Sequence, residues 1–242
     1  MNESRTAVPP SVIAVIPALD EEGSIAAVIA GLRTAGVDRV IVADNGSRDA
    51  TAAVARAAGA MVVPAARRGY GSACLAGIAA VDSLRDPPQA ILFCDADGSD
   101  DLERVGELVA PVLSGRCELV IGSRAGDRSA LSLPQRTGNL VAALLMRLLY
   151  RVHVSDLGPF RCIDARCLRR LQMADPAYGW TAEMQVKAYR LGLRVREVPV
   201  RALARTAGQS KISGRLKPVV LAGWAILSTV LRYHAAPLPT RR

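Results

Sequence analysis

The segment QAILFCDADGSDD, residues 89–101, decides how this chain is read. It opens on an apolar run too short for a helix and preceded by the helix-breaking Asp86-Pro87-Pro88, so it predicts a buried strand over residues 89–97. The run ends on acid: Asp95 and Asp97, then Asp100 and Asp101. Carboxylates directly behind a hydrophobic strand lie at its carboxyl end, the edge where an open parallel sheet binds its ligands.

The same pattern extends to both sides. Upstream, SVIAVIP (11–17) is an apolar strand ended by Pro17, and the acidic ALDEEGS leads into a helix near 23–34. VDRVIVAD (37–44) is a second strand, NGSRD a turn, and the next helix closes at Gly59. AMVVP (60–64) is a third strand, with the turn RRGYGS and a small-residue helix near 72–84 behind it. Downstream come a helix near 101–114, a strand CELVIGSR (117–124), a loop over 124–136 and an apolar helix near 137–151. Short strands are expected between 152 and 215, with a helix at 181–191 and a strand at 194–203 whose Pro199 favours a sheet edge. The last helix, 216–234, has an uncharged stretch too short to span a bilayer. Strands that alternate with helices at this spacing need crossover connections, hence a mostly parallel sheet.

Composition narrows the function classes. With 242 residues, half of them apolar, the chain supports one sizeable core, and only 4% aromatics argue for small aliphatics packed between helix layers. That scarcity speaks against an aromatic-stacking nucleic-acid module. A net charge of +9, concentrated after residue 115, points to an anionic partner such as a membrane surface or a phosphorylated substrate; solvated helix faces would look the same. The five cysteines are odd in number and lack zinc-type pairing, so they read as buried free thiols in a reducing compartment. The first residues, MNESRTAVPPSV, lack the apolar run of a signal peptide, which leads to the expectation of a cytoplasmic protein. Trp180 and Trp224 read as packing residues rather than sugar platforms.

Polar clusters fall at three strand ends: Asp20, Glu21 and Glu22; Asp44 to Asp49; and Asp95, Asp97, Asp100 and Asp101. Carboxylates converging in one crevice repel one another unless a cation offsets them, and an oxygen-only set suits Mg²⁺ or Mn²⁺. Ser24, Ser47 and Asp101 equally suit helix capping.

Taken in order, VIPALDEEGSI, ADNGSRDAT, RRGYGSA, FCDADGSDD, VIGSR and REVPVRALARTAGQSKISG resemble the family 2 glycosyltransferases, in particular the dolichyl- or polyprenyl-phosphate mannosyltransferase (or glucosyltransferase) branch, over about residues 11–232. The resemblance implies a three-layer α/β/α nucleotide-sugar transferase fold of the GT-A type. It implies that Pro17, Ala18, Asp20 and Glu22, with Asp44 and Gly46, hold the nucleotide base and ribose. Asp95-Ala96-Asp97 would hold the donor diphosphate, with Asp95 and Asp97 as the metal ligands and Mg²⁺ or Mn²⁺ as cofactor. Gly69 and Gly71 would admit backbone close to the donor, although a plain turn explains them as well. Arg124, Arg136, Arg161, Arg205 and Lys211 would meet the acceptor phosphate, and Arg124 also the donor. Several positions depart from the family pattern: Asp20 for Asn, Asn45 for Asp, Ser99 for a Gln ligand, Asp101 for Pro and Arg215 for Thr.

The implied reaction is inverting transfer from GDP-mannose or a UDP-hexose to a polyprenyl phosphate, or to a soluble acceptor. A lipid phosphate is already an anionic nucleophile, so cationic orientation by Arg205 and its neighbours matters more than a base. A hydroxyl acceptor would need Asp156 or Glu183 to take its proton, although Glu183 also suits the dipole of a helix start. The helices at 137–151 and 216–234 suit either a core or a membrane interface, which would attach the protein to the inner face of the cytoplasmic membrane. The expected organisation is a disordered 1–10, a catalytic domain over 11–215 (donor half 11–124, acceptor half 125–215) and a C-terminal helix and tail, 216–242. A homo-oligomer is left open. A sugar-1-phosphate nucleotidylyltransferase would carry a basic Gly-rich loop after its first strand, where this chain has Asp20, Glu21 and Glu22. A phosphorylated receiver module would be about half as long.

Overall fold

The computed structural model describes residues 11–126, 133–206 and 216–235. Its strands are β1 (Val12–Ala18), β2 (Arg39–Asp44), β3 (Met61–Pro64), β4 (Ala90–Phe93), β5 (Leu119–Ser123), β6 (Arg161–Asp164) and β7 (Val195–Pro199). Its helices are α1 (Ile25–Thr34), α2 (Thr51–Ala57), α3 (Tyr70–Asp82), α4 (Val105–Leu113), α5 (Leu133–Tyr150), α6 (Ala165–Leu171), α7 (Trp180–Arg190) and α8 (Leu216–Ala235). One sheet runs in the order β3-β2-β1-β4-β6-β5-β7. Every pairing is parallel except the two made by β6.

Period-2 alternation sorts the strand residues between two helix layers. On β1, Val12, Ala14, Ile16 and Ala18 face a core shared with α1 and α4, whereas Ile13 and Val15 face one shared with α3, α6 and α7. β4 divides likewise, Leu92 to the first and Phe93 to the second, where Trp180 stacks on Phe93 edge-on at 4.7 Å. The three-layer, mostly parallel expectation therefore holds, as does Trp180 as a packing residue. All five cysteines are free, and four are buried.

The sheet order fixes where a ligand goes. Successive strands proceed from β1 outward to β2 and β3, then return to β4 on the other side of β1. The crevice beyond the ends of β1 and β4 is thus the topological switch point. Reversal of β6 brings the chain just before it, residues 152–160, to that same edge, because Arg161 at its start pairs with Phe93 at the end of β4.

Several boundaries differ from expectation. α5 begins at Leu133 rather than 137; in its first turn the missing N–H of Pro134 leaves no helical bond unmade. The strand expected at 194–203 is confined to Val195–Pro199, on the sheet edge that Pro199 suggested. The strand expected at 89–97 stops at Phe93, leaving the acidic residues in the turn. Residues 1–10 and 127–132 lie outside the described residues.

α5, α7 and α8 join through Ala142, Met146, Ala182, Val186 and Val230. Leu140, Leu144 and Leu148 of α5 and Trp224 and Leu231 of α8 stay exposed. Trp224, expected to pack, is 70% exposed, so that expectation is corrected: α8 turns it away from α5 and α7. No described helix is long and apolar enough to cross a membrane.

A Cβ added at Gly77 of α3 would stand 2.3 Å from Val15 Cγ1 of β1. Replacing Gly by Ala favours a helix by about 1 kcal/mol, but overpacking a core costs about 1–3 kcal/mol, so the clash outweighs propensity. Gly77→Ala is expected to lower the urea midpoint; a rise would show that α3 can move off the sheet freely.

Candidate active site

The turn after β4 is held by its own carboxylates. Asp100 Oδ2 accepts from the backbone N of Asp95 at 2.7 Å, and Asp97 Oδ1 accepts from Ser99 N at 2.9 Å. Gly98, at a φ of +77°, supplies the left-handed residue that such a turn requires. Tyr70 Oη, in the first turn of α3, donates to Asp95 Oδ1 at 3.2 Å. Burial pushes the Asp95 carboxyl well above its ordinary range, and the charges of Asp100 and Asp97 push it further. Burial also raises Asp100, to about 7, against the opposing pull of the Asp95 N–H and Arg124. Asp95 and Asp100 share too little water to hold both negative charges without a cation nearby.

The acidic residues after β1 and β2 serve a different purpose. Register places Ala18 beside Asp44, and Asn45 N continues the pairing to Ala18 O at 2.8 Å. Asp20 adopts a left-handed φ of +49°, its N–H donating to Ser47 Oγ at 3.0 Å while its Oδ1 accepts from Arg48 N at 2.7 Å. Glu22 Oε2 accepts from Ala50 N at 2.8 Å, and Asp44 Oδ1 accepts from Ser47 N at 3.1 Å. The two loops are stapled together by these side chains, and Pro17, Ala18, Asp44 and Gly46 line up along one rim. Ser24, Ser47 and Asp101 do not act as side-chain helix caps: Ser24 donates to Glu21, Ser47 to Asp44, and Asp101 pairs with Arg201.

Arg205 ties the two groups together. Its Nη1 stands 2.8 Å from Asp97 Oδ2, and its Nη2 pairs with Glu21 Oε1. The segment carrying it is pinned to the acidic turn by Leu203 N to Ser99 O at 3.2 Å and by Thr206 N and Oγ1 to Asp97 O at 3.1 and 3.2 Å. Arg124, just past β5, grips Asp156 with Nε to Oδ2 at 2.7 Å and Nη2 to Oδ1 at 3.0 Å. Burial alone would raise the Asp156 carboxyl, but Arg124 holds it below the usual range. Arg124 also draws down Asp95 and Asp100 electrostatically, so it belongs to this site.

Three expectations change. Arg161 is fully buried, and its guanidinium donates to the carbonyls of Gly158 (3.1 Å), Thr181 (2.9 Å) and Leu157 (3.2 Å); it braces the chain before β6 and cannot reach an acceptor phosphate. Glu183 is fully buried, pairs with Lys187 at 2.6 Å and accepts from Tyr233 Oη and the N–H groups of Ala174 and Asp175, so it is an anchor rather than a base. Gly69 and Gly71 make room for the protein's own chain: a Cβ there would stand 2.2 Å from Pro176 O and 2.1 Å from Asp175 O. Lys211 and the side chain of Arg136 lie outside the described residues.

Sequence reasoning missed Tyr70, Asn45 and Thr206 as parts of the site. Asn45 holds Gly69 by accepting from its N–H at 3.0 Å and donating to its carbonyl. Each lies inside a quoted motif, but only the fold reveals the partner. Among the described residues no group of three or more His, Cys, Asp or Glu is arranged to hold a metal. Asp95 and Asp97 nevertheless fit Mg²⁺ or Mn²⁺, because crowding of carboxylates is what a hard cation relieves and Mg²⁺ takes most of its oxygens from ligand and water.

An open α/β sheet with an acidic pair and flanking arginines at its switch point defines an enzyme that handles a diphosphate-bearing ligand. Residues 13–170 match the model of glycosyl transferase family 2, and the chain belongs to that family of enzymes. It is 38% identical over 223 residues to an uncharacterized glycosyltransferase of Mycobacterium tuberculosis, covering 90% of this chain and 98% of the relative. It is 30% identical over 217 residues to the undecaprenyl-phosphate mannosyltransferase of Micrococcus luteus, covering 84% and 88%. Among solved structures, the glucosyl-3-phosphoglycerate synthase of Mycobacterium tuberculosis, in complex with Mn²⁺, UDP and phosphoglyceric acid, superposes with a TM-score of 0.75 at 25% identity, covering 95% of this chain and 80% of that one.

Replacing Arg161 by Leu strips the carbonyls of Leu157 and Gly158 of their buried donor and removes a second donor from that of Thr181. Each buried orphan costs about 1–3 kcal/mol, so a loss of about 3 kcal/mol or more is expected in urea denaturation. The acceptor KM of the protein that remains folded should change less than about twofold, since a change in ground-state binding is what KM reads; a large selective rise in KM would restore an acceptor role.

Proposed function

We propose that the enzyme moves a hexosyl group from a nucleoside-diphosphate sugar, GDP-mannose or a UDP-hexose, to a polyprenyl phosphate, inverting the anomeric carbon in one in-line displacement. The observation that carries this reading is the Asp95–Asp97 turn at the switch point, flanked by Arg205 and Arg124. Mg²⁺ or Mn²⁺, held by Asp95 and Asp97 and by the oxygens of the diphosphate, would supply the positive charge that the departing nucleoside diphosphate needs. The rim from Pro17 to Glu22, with Asp44 and Gly46, is the proposed seat of base and ribose.

The chain's own residues favour a phosphate over a hydroxyl as the nucleophile. Both candidate bases are engaged: Asp156 is ion-paired with Arg124 and held charged at low pH, and Glu183 is buried under Lys187 and Tyr233. Asp156, so held by Arg124, takes up a proton poorly. An acceptor phosphate needs no proton removed; it needs a cation to orient it, and Arg124 stands at that edge. The Micrococcus relative's name points the same way. The exposed row Leu140, Leu144 and Leu148, with Trp224 and Leu231 on α8 and exposed Arg147, Arg151 and Arg232 beside them, suits peripheral contact with an anionic cytoplasmic membrane. A soluble phosphorylated acceptor is the second reading, favoured by the fold shared with the phosphoglycerate-dependent synthase.

Two tests follow. Asp97→Ala should abolish Mn²⁺-dependent transfer from radiolabelled donor while the protein still melts cooperatively; turnover in that variant with EDTA present would end the metal assignment. With wild-type enzyme, butanol-extractable product marks a lipid acceptor and water-soluble product the second reading. The double variant Leu144→Glu, Leu148→Glu should bind phosphatidylglycerol vesicles on the order of tenfold more weakly in sedimentation, because two charges replace apolar contact at an interface. Unchanged binding would remove α5 from the membrane face.

A further inference from the structure

Arg205 brings positive charge to the acidic turn. Its guanidinium spans two loops of the donor half, from Glu21 behind β1 to Asp97 behind β4, with 2.8 Å between Nη1 and Asp97 Oδ2. Glu21 is fixed from its other side, since Ser24 Oγ donates to Oε2 at 3.2 Å. Both carboxylates are nearly buried and the arginine is a quarter exposed, so the contact is poorly screened. One oxygen of a proposed metal ligand is therefore already taken by a side chain of the acceptor half.

A second observation shows that this position is not fully satisfied. Arg205 Nε is buried and has no hydrogen-bond partner. Leaving a charged group's donor unpaired in the interior is costly, and it is the kind of vacancy that an anionic ligand fills. The backbone carrying the side chain is anchored on the acidic turn itself: Leu203 and Thr206 are hydrogen-bonded to Ser99 O and Asp97 O.

Resting on the donor reading above, we infer that Arg205 is an internal cation that competes with the divalent metal for Asp97, and that the donor diphosphate resolves the competition by accepting the displaced guanidinium. Metal alone must evict Arg205 from Asp97 and leave it one carboxylate, Glu21, in place of two. Metal together with a nucleoside diphosphate gives Arg205 a phosphate in exchange for Asp97. The consequence is order: cation and diphosphate enter together, and the empty site does not hold free metal tightly. Coupling of this kind is reciprocal, so Mn²⁺ strengthens diphosphate binding by the factor by which diphosphate strengthens Mn²⁺ binding.

The test measures Mn²⁺ binding by the loss of the free-ion EPR signal, with and without UDP or GDP, and needs no turnover. Wild type is expected to bind Mn²⁺ alone weakly and far more tightly with the preferred diphosphate. Arg205→Gln should bind Mn²⁺ alone several-fold more tightly, bind the diphosphate more weakly, and lose most of the coupling factor. Arg205→Lys keeps the charge but cannot bridge Glu21 and Asp97 together, and should fall between; its melting curve and that of the Gln variant establish folding. The inference is overturned if either folded variant keeps the wild-type coupling factor, or if Arg205→Gln binds Mn²⁺ alone no better than wild type. If wild type binds no Mn²⁺ even with both diphosphates present, it is the donor reading that fails instead.

Discussion

Repulsion among carboxylates at the ends of β1 and β4 is the constraint around which this protein is built. Asp95, Asp97 and Asp100 lie within one turn, and Glu21 faces that turn from the neighbouring strand end. Such a cluster is unfavourable by itself: burial and mutual charge drive Asp95 and Asp100 toward their neutral forms. It persists because cations from later in the chain lean into it. Arg205 arrives from behind β7 and Arg124 from behind β5, so the charge of the acidic turn is offset by residues that follow it in the chain.

That dependence explains the mixed sheet. Were β6 parallel, residues 152–160 would begin at the far edge, and Asp156 could not clamp Arg124 beside the site. Reversing one short strand between β4 and β5 brings the linker to the ligand edge, and Arg161, whose buried guanidinium knits together the carbonyls of Leu157, Gly158 and Thr181, fixes the linker's shape. A buried arginine bonded to carbonyls is a strained choice electrostatically, and burial lowers its own proton affinity to about 10. The structure retains it where three backbone acceptors converge on one point.

A second chain of contacts joins the site to the C-terminal helices. Glu183 and Lys187 of α7 hold the segment 172–175 through backbone N–H and carbonyl groups, and Tyr233 of α8 closes over Glu183. Pro176 and Ala177 then receive the N–H groups of Ser72 and Gly71, at the start of α3, with Gly69 and Gly71 pressed against that loop. Tyr70, between those glycines, reaches Asp95. The helices that expose Leu144 and Trp224 are thus packed through a few rigid steps onto the residue that steadies a proposed metal ligand.

Much of this was written in local sequence. The alternation of short apolar runs with helical periods announced crossover connections and a mostly parallel sheet. Acid placed directly behind the run at 89–93 marked the strand end that matters, because hydrophobic residues and the charges that follow them are neighbours along the chain and need no folding to be seen together. Pro199 announced an edge in the same way. Partnerships across long sequence separations could not be seen there. Glu183 and Arg161 looked like exposed chemistry because charged residues usually are; packing buried them and supplied partners from residues 157, 158, 174, 175 and 233. Trp224 looked like core and is exposed, since which face of α8 turns inward is set by α5 and α7. The sequence alone determined the layers, the strand ends and the acidic pair, all of them properties of neighbouring residues. Only tertiary structure decided which cation answers which carboxylate, because that depends on distances between segments 32 residues apart for Arg124 and Asp156 and 184 for Arg205 and Glu21.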